Sequence, residues 1–243
     1  EADLLRELQS MAARNWTLDA HSSFLGNGAT NRFVPSIVGH IIGRNEFYTA
    51  YTPYQPEVSQ GILQAIYEYQ SLVSQLFQMD ATNAGMYDGA TALAEAALMA
   101  CRQTKRNRVA VRESVSPLLR QVLETYLGAQ EIELVENVDE TSACLIIQQP
   151  NHLGVWEPID GLADEVHAFG ALLVCSVDPL SLGMFAAPGS YGVDIAVAEG
   201  QSLGIAPSFG GPGLGIFSCR QEFIRQMPSR IVGRTFDGNG KEA

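Results

Sequence analysis

The 243-residue sequence predicts an α/β protein built on a mostly parallel sheet with helices on both faces. Three features lead there. Short apolar runs of β-type composition occur at 109–111, 132–135, 144–147, 171–177, 195–197 and 215–219, lengths that suit buried strands better than helices. They alternate with longer segments whose apolar residues recur at helical spacing, the order that produces crossover connections and a sheet covered on both sides. The composition, 46% hydrophobic over a length that buries one sizeable core, suits a single large domain.

Taken in order, Leu4, Leu5, Leu8 and Met11 repeat at helical spacing and predict a packing helix, followed by a Gly- and Asn-rich loop at 26–28. A loop carrying Pro53 and Pro56 leads to Ser59, the expected amino-terminal cap of a long amphipathic helix marked by Ile62, Ile66, Tyr69, Val73, Leu76 and Phe77. The Ala-rich run 89–101, then 117–127 and 161–169, are the remaining helices expected between the strands. Ligands of such sheets sit beyond the carboxyl ends of the strands, which puts 149–156, 178–183 and 199–212 on the functional rim.

Net charge is −12, and the basic residues are scattered apart from Arg102, Lys105, Arg106 and Arg108, so no continuous stripe exists to neutralise a nucleic acid. No window approaches the apolar length of a membrane span, and Glu1-Ala2-Asp3 is not a basic signal-peptide start. Cys101, Cys144, Cys175 and Cys219 lie far apart in apolar surroundings without a neighbouring His, so they read as small buried hydrophobes of a reducing compartment rather than as a metal set. A cytoplasmic location without membrane or nucleic-acid partners is expected. Both ends read as internal to a longer protein: residue 1 is Glu, and the last stretch is a polar turn.

Four places could carry chemistry, each with two readings. Gly89-Ala90-Thr91 opens a helix whose free N–H groups suit a phosphate, or Gly89 is a turn residue and the small residues serve close packing; Asp88 counts against an anion. Asp178 follows an apolar strand and would aim a carboxylate at a protonated ring nitrogen, or it caps the turn at Pro179. His152 lies on a strand-end loop, as a proton carrier or as a structural hydrogen-bonder. Gly210-Gly211-Pro212-Gly213 brings bare backbone N–H groups near an anion, or is a plain turn. The serines lack a nucleophile elbow.

Several segments also carry a resemblance. YTAYTPYQPE (48–57), MYDGATALAE (86–95), SFGGPGLG (208–215) and MPSRIVG (227–233) are similar, in order and across almost the whole chain, to the signature stretches of the amino-terminal half of the P-protein family, the glycine dehydrogenases (decarboxylating) of the glycine cleavage system. The stretches at 29–32 and at His152 and Leu153 depart from the pattern.

The resemblance implies the large domain of a fold-type-I pyridoxal-phosphate transferase spanning 1–243, a fragment without its small carboxyl-terminal domain, with 1–58 as an extension of helix and loop. In that fold a lysine binds the cofactor covalently. The sequence holds two lysines, Lys105 in a polar run and Lys241 near the end. Aligned on the glycine-rich turn with the family's catalytic half, the lysine position falls at Gln201, whose amide cannot form an imine. The implied role is therefore a subunit with no catalytic residue or metal of its own, beside a second P-protein subunit that carries the lysine and the pyridoxal phosphate. Tyr51, Tyr54, Gln55, Gly210 and Gly211 would complete that partner's cofactor site, with glycine as substrate and the lipoyl arm of H-protein as acceptor. A purely structural or regulatory subunit is the alternative.

Overall fold

A computed structural model of the chain describes residues 1–24, 28–236 and 238–240; part of the loop expected at 26–28, and Lys241, lie outside the described residues. The elements run α1 (Ala2–Ala12), α2 (Ser36–Ile42), α3 (Asn45–Tyr48), α4 (Gln60–Phe77), β1 (Ala81–Thr82), α5 (Gly89–Thr104), β2 (Arg108–Val111), α6 (Pro117–Gly128), β3 (Glu133–Val135), β4 (Cys144–Gln149), α7 (Leu162–Ala168), β5 (Leu172–Val177), β6 (Ile195–Glu199) and β7 (Gly215–Cys219).

The strands form one seven-stranded sheet in the order β1-β7-β6-β5-β4-β2-β3. The run from β3 through β2, β4 and β5 to β6 is parallel, while β7 pairs antiparallel with β6 and with β1. Strand side chains alternate between two cores, as a period of two residues requires. On one face Ile146, Val174, Ile195, Val197 and Phe217 meet α5 and α6 through Leu93, Met99, Leu123 and Leu127. On the other, Leu145, Ile147, Leu173, Cys175, Ala196 and Ile216 meet α4 and α7 through Val73, Phe77, Leu162 and Val166. The Ala-rich composition of α5 explains its place: small side chains let it lie close against the sheet, and ten of its sixteen residues are buried.

The predicted strands and long helices are present with shifted ends. β4 runs two residues past its apolar stretch because its polar end is satisfied internally: the fully buried Gln149 side chain accepts from the Glu157 N–H at 3.0 Å and donates to the Glu157 carbonyl at 3.1 Å, and Gln148 accepts from the Ser116 N–H at 2.8 Å. Ser59 does precede α4, but its side chain makes no capping bond. Three elements have no counterpart in the predicted order: α2, α3 and the two-residue β1. Both sheet edges are managed. The outer edge of β7 is followed by the chain from Ala81 through Thr82 and Asn83 to Met86, and β3 is short and carries Glu133, paired with Arg108 at 3.0 Å. All four cysteines are buried and free. Among the described residues no helix is long and apolar enough to cross a membrane.

Candidate active site cleft

A cleft of about 710 Å³ opens where the carboxyl ends of β4, β5 and β6 face the amino end of α5. Its lining draws on all three predicted rim segments, including Asn151 and His152, Asp178, and, between Glu199 and Gly213, Gln201 and the residues of the glycine-rich turn. Asp178 and Gln201 follow the adjacent parallel strands β5 and β6 and so share one rim, as expected.

Glu199 organises the floor. It ends the apolar strand β6, and its carboxylate accepts hydrogen bonds from the N–H groups of Gly89 (2.9 Å), Gln201 (2.8 Å) and Leu214 (2.9 Å). Gly89 is required by this approach, since a Cβ there would lie 2.7 Å from the Glu199 nitrogen. Next to it Asp88 caps α5, accepting from the Thr91 N–H at 2.8 Å. The positive end of the helix is thus held by two carboxylates.

Gln201 is 4% exposed and is tied to a stretch of chain far away in sequence. Its carbonyl oxygen accepts from the Thr30 N–H at 2.8 Å and the Thr30 hydroxyl at 3.3 Å. Its amide donates to the Thr30 carbonyl at 3.1 Å and to the Ile205 carbonyl. The side chain behaves as a peptide group that pins residue 30 over the cleft.

The remaining candidates divide. Gly210 and Gly211 line the cleft, with open space where a Cβ would stand, and Gly210 takes φ +92°. Asp178 lines it too, and its carboxylate caps the following turn through the Leu180 N–H at 3.0 Å, as the turn reading expected. His152 is exposed on the rim. Tyr51, Tyr54 and Gln55 are not among the lining residues; they stand exposed elsewhere, Tyr51 at 84% and Tyr54 at 63%, with Arg230 stacked 4.1 Å from the Tyr54 ring. Lys105 follows the far end of α5, roughly 24 Å from Gly89 by the rise of sixteen residues.

Sequence reasoning assigns Glu199 and Thr30 no role. An acid closing a buried apolar strand is a signal that a partner is needed, and Glu199 carries it. Thr30 carries none, because its partner is 171 positions away.

Pyridoxal phosphate does not fit this cleft as it stands. Of the first-turn N–H groups of α5 that a phosphate could use, those of Gly89 and Thr91 are taken by Glu199 and Asp88, which leave two carboxylates beside Ala90, and the described residues lining the cleft include no lysine or arginine.

The whole chain, residues 1–243, matches the family described as the glycine cleavage system P-protein. A relative from Desulforamulus reducens, named probable glycine dehydrogenase (decarboxylating) subunit 1, is 48% identical over 99% of this chain and 57% of its own length. The crystal structure of a glycine decarboxylase (P-protein) of the glycine cleavage system, in inhibitor-bound form, superposes with a TM-score of 0.93 at 45% identity, over 99% of this chain and 57% of the other. A sphingosine-1-phosphate lyase from Burkholderia pseudomallei shares the fold at a TM-score of 0.64 and 15% identity, over 100% of this chain and 63% of the other. The chain therefore spans less than three-fifths of the length of the curated relative, and its architecture is the fold-type-I pyridoxal-phosphate transferase fold that the resemblance implied.

Proposed function

The chain belongs to the glycine cleavage system P-protein family, and from that premise we propose that it is the lysine-free subunit of a heteromeric glycine dehydrogenase (decarboxylating). The observation that carries this reading is Gln201: at the aligned lysine position stands a buried amide whose oxygen and nitrogen are both engaged by backbone and Thr30 groups. In this reading the second P-protein subunit holds pyridoxal phosphate covalently. The assembled enzyme removes CO2 from glycine and passes the aminomethyl group to the lipoyl arm of H-protein, in the cytoplasm. The cofactor supplies an electron sink for the carbanion left by decarboxylation.

This chain's part is to finish and close the partner's site. Tyr51, Tyr54 and Gln55 present phenol and amide donors on a segment stiffened by Pro53 and Pro56, suited to a carboxylate or phosphate across an interface. Gly210 and Gly211 bring backbone to the cleft with no side chain in the way, although the Gly211 N–H already donates to the Ser208 carbonyl at 3.1 Å and would have to exchange that bond for an anion. The span 1–243 serves as the large domain, with 1–58 as the arm that reaches the partner. Large apolar residues of that arm support this: Trp16, Phe24 and Phe33 are 87–95% exposed, and Ile41, Phe47 and Val58 border an apolar groove of about 590 Å³.

The test is chemical. Borohydride reduction of the assembled enzyme and peptide mapping are expected to place the pyridoxyl adduct on the partner and none on this chain. A stoichiometric adduct at Lys105 or Lys241 would overturn the assignment. Tyr51→Phe and Gln55→Ala separate it from a purely structural subunit: assembly should survive while glycine decarboxylation falls.

A further inference from the structure

We propose that Glu199 is a built-in substitute for a phosphate anion, so that this chain's cleft rejects pyridoxal phosphate through its floor and not only through the missing lysine. The inference rests on the reading of this chain as the lysine-free subunit and goes past it: restoring a lysine at position 201 would leave the cleft closed to the phosphate ester.

The geometry is that of an occupied anion seat. A phosphate at a helix start is held by N–H groups of the first turn and of a nearby loop. Here Gly89 supplies the first and Leu214, in the glycine-rich turn, supplies the second, and both donate at 2.9 Å to the same carboxylate. Gln201 adds a third N–H at 2.8 Å. Charge-assisted bonds of this length are the strong class. Backbone closeness holds the start of α5 against the end of β6: the Gly89 Cα lies so near β6 that an added Cβ would be 2.9 Å from the Glu199 Cα and Cβ. A phosphate arriving at the floor would displace Glu199 from three donors and then stand beside it, with Asp88 and Asp178 in the same cleft and no arginine or lysine among the described lining residues. Like charges at that separation oppose entry.

Gln201 contributes independently. A lysine in its place has no acceptor for the Thr30 N–H and hydroxyl, and once engaged in an imine it could not keep the donations to the Thr30 and Ile205 carbonyls that hold residue 30 against the cleft. Cofactor covalency and closure of the cleft are therefore alternative uses of one position.

The experiment uses the full chain assembled with its partner, probed with pyridoxal phosphate, pyridoxal and inorganic phosphate. Borohydride mapping of the native assembly comes first; an adduct on this chain there sinks the subunit reading, whatever the variants do. In Gln201→Lys, pyridoxal and pyridoxal phosphate are expected to label position 201 equally poorly, since the phosphate gains nothing. In Gln201→Lys with Glu199→Ala, pyridoxal phosphate should label at least about tenfold more efficiently than pyridoxal. Stoichiometric labelling of the single variant by pyridoxal phosphate, or a double variant indifferent to the phosphate, would overturn the inference. Glu199→Gln, which keeps an oxygen acceptor and loses the charge, covers the case in which the double variant fails to fold. It should bind inorganic phosphate about tenfold more tightly than the native assembly in equilibrium dialysis, and equal binding would count against Glu199.

Discussion

Helices α5 and α1 both carry regular apolar residues, and they end in opposite surroundings. In α5, Leu93, Ala97 and Ala100 are fully buried against the sheet. In α1, Leu4, Leu5, Leu8 and Met11 remain 51–59% exposed, and no residue of α1, α2 or α3 is buried. An apolar face that its own chain leaves uncovered marks an interaction surface. The helices around the sheet bury their apolar faces against it, those of the first 58 residues do not, and the Thr30 bonds to Gln201 join the two regions over the cleft.

The sharpest test of the contrast lies in the core. Phe217, fully buried in the face packed by α5, should cost about 3–5 kcal/mol when replaced by alanine, read from the urea midpoint of the chain. A loss below about 1 kcal/mol would place the two regions on the same footing. Phe24→Ser together with Phe33→Ser should act the other way round. Association with the partner subunit is expected to weaken by about 2 kcal/mol or more, roughly thirtyfold, in sedimentation measurements. The stability of the separate chain should stay within about 0.5 kcal/mol. If instead the chain itself unfolds, the arm has a core after all.

At the junction, Gln201→Leu should cost about 1–3 kcal/mol by leaving the Thr30 groups without their partner. Hydrogen exchange should quicken around residue 30 and remain slow in β5 and β6. The shallowest effect is alkaline. Burial pushes the Cys101 thiol up to about 11, those of Cys175 and Cys219 up to about 12, and the Tyr69 phenol up to about 12. These groups are held neutral in the fold, so their contribution is fully present below the ordinary thiol value of 9.0. It is lost as pH rises from there toward 12, at about 1.4 kcal/mol per pH unit for each thiol that titrates only in the unfolded chain. The melting temperature should fall over that window. A flat profile would mean that the thiols already meet solvent in the folded chain.

The sheet was legible because its strands are apolar on both faces, and runs such as Leu172–Val177 admit few other readings. The reversed direction of β7 was not legible: Gly215–Cys219 is a short apolar run like the parallel strands, and only the route of the preceding chain turns it around. Short helices α2 and α3 escaped because their apolar residues face no core that could impose a period. The rim was found from strand ends alone, and Asp178 and Gln201 share it. The use made of Gln201 was not, since a glutamine just past the end of β6 shows nothing of a partner placed by the folding of the entire chain.

The guarded edges of the sheet bear on how such a chain associates. With residues 81–86 laid along β7 and a three-residue, charged β3 at the opposite margin, both borders of the sheet are short. Strand addition, the route by which exposed borders recruit one another into fibres or continuous intermolecular sheets, is thereby disfavoured at both ends. What is left for recognition is side-chain surface, which discriminates by shape, whereas a bare peptide edge accepts almost any extended chain.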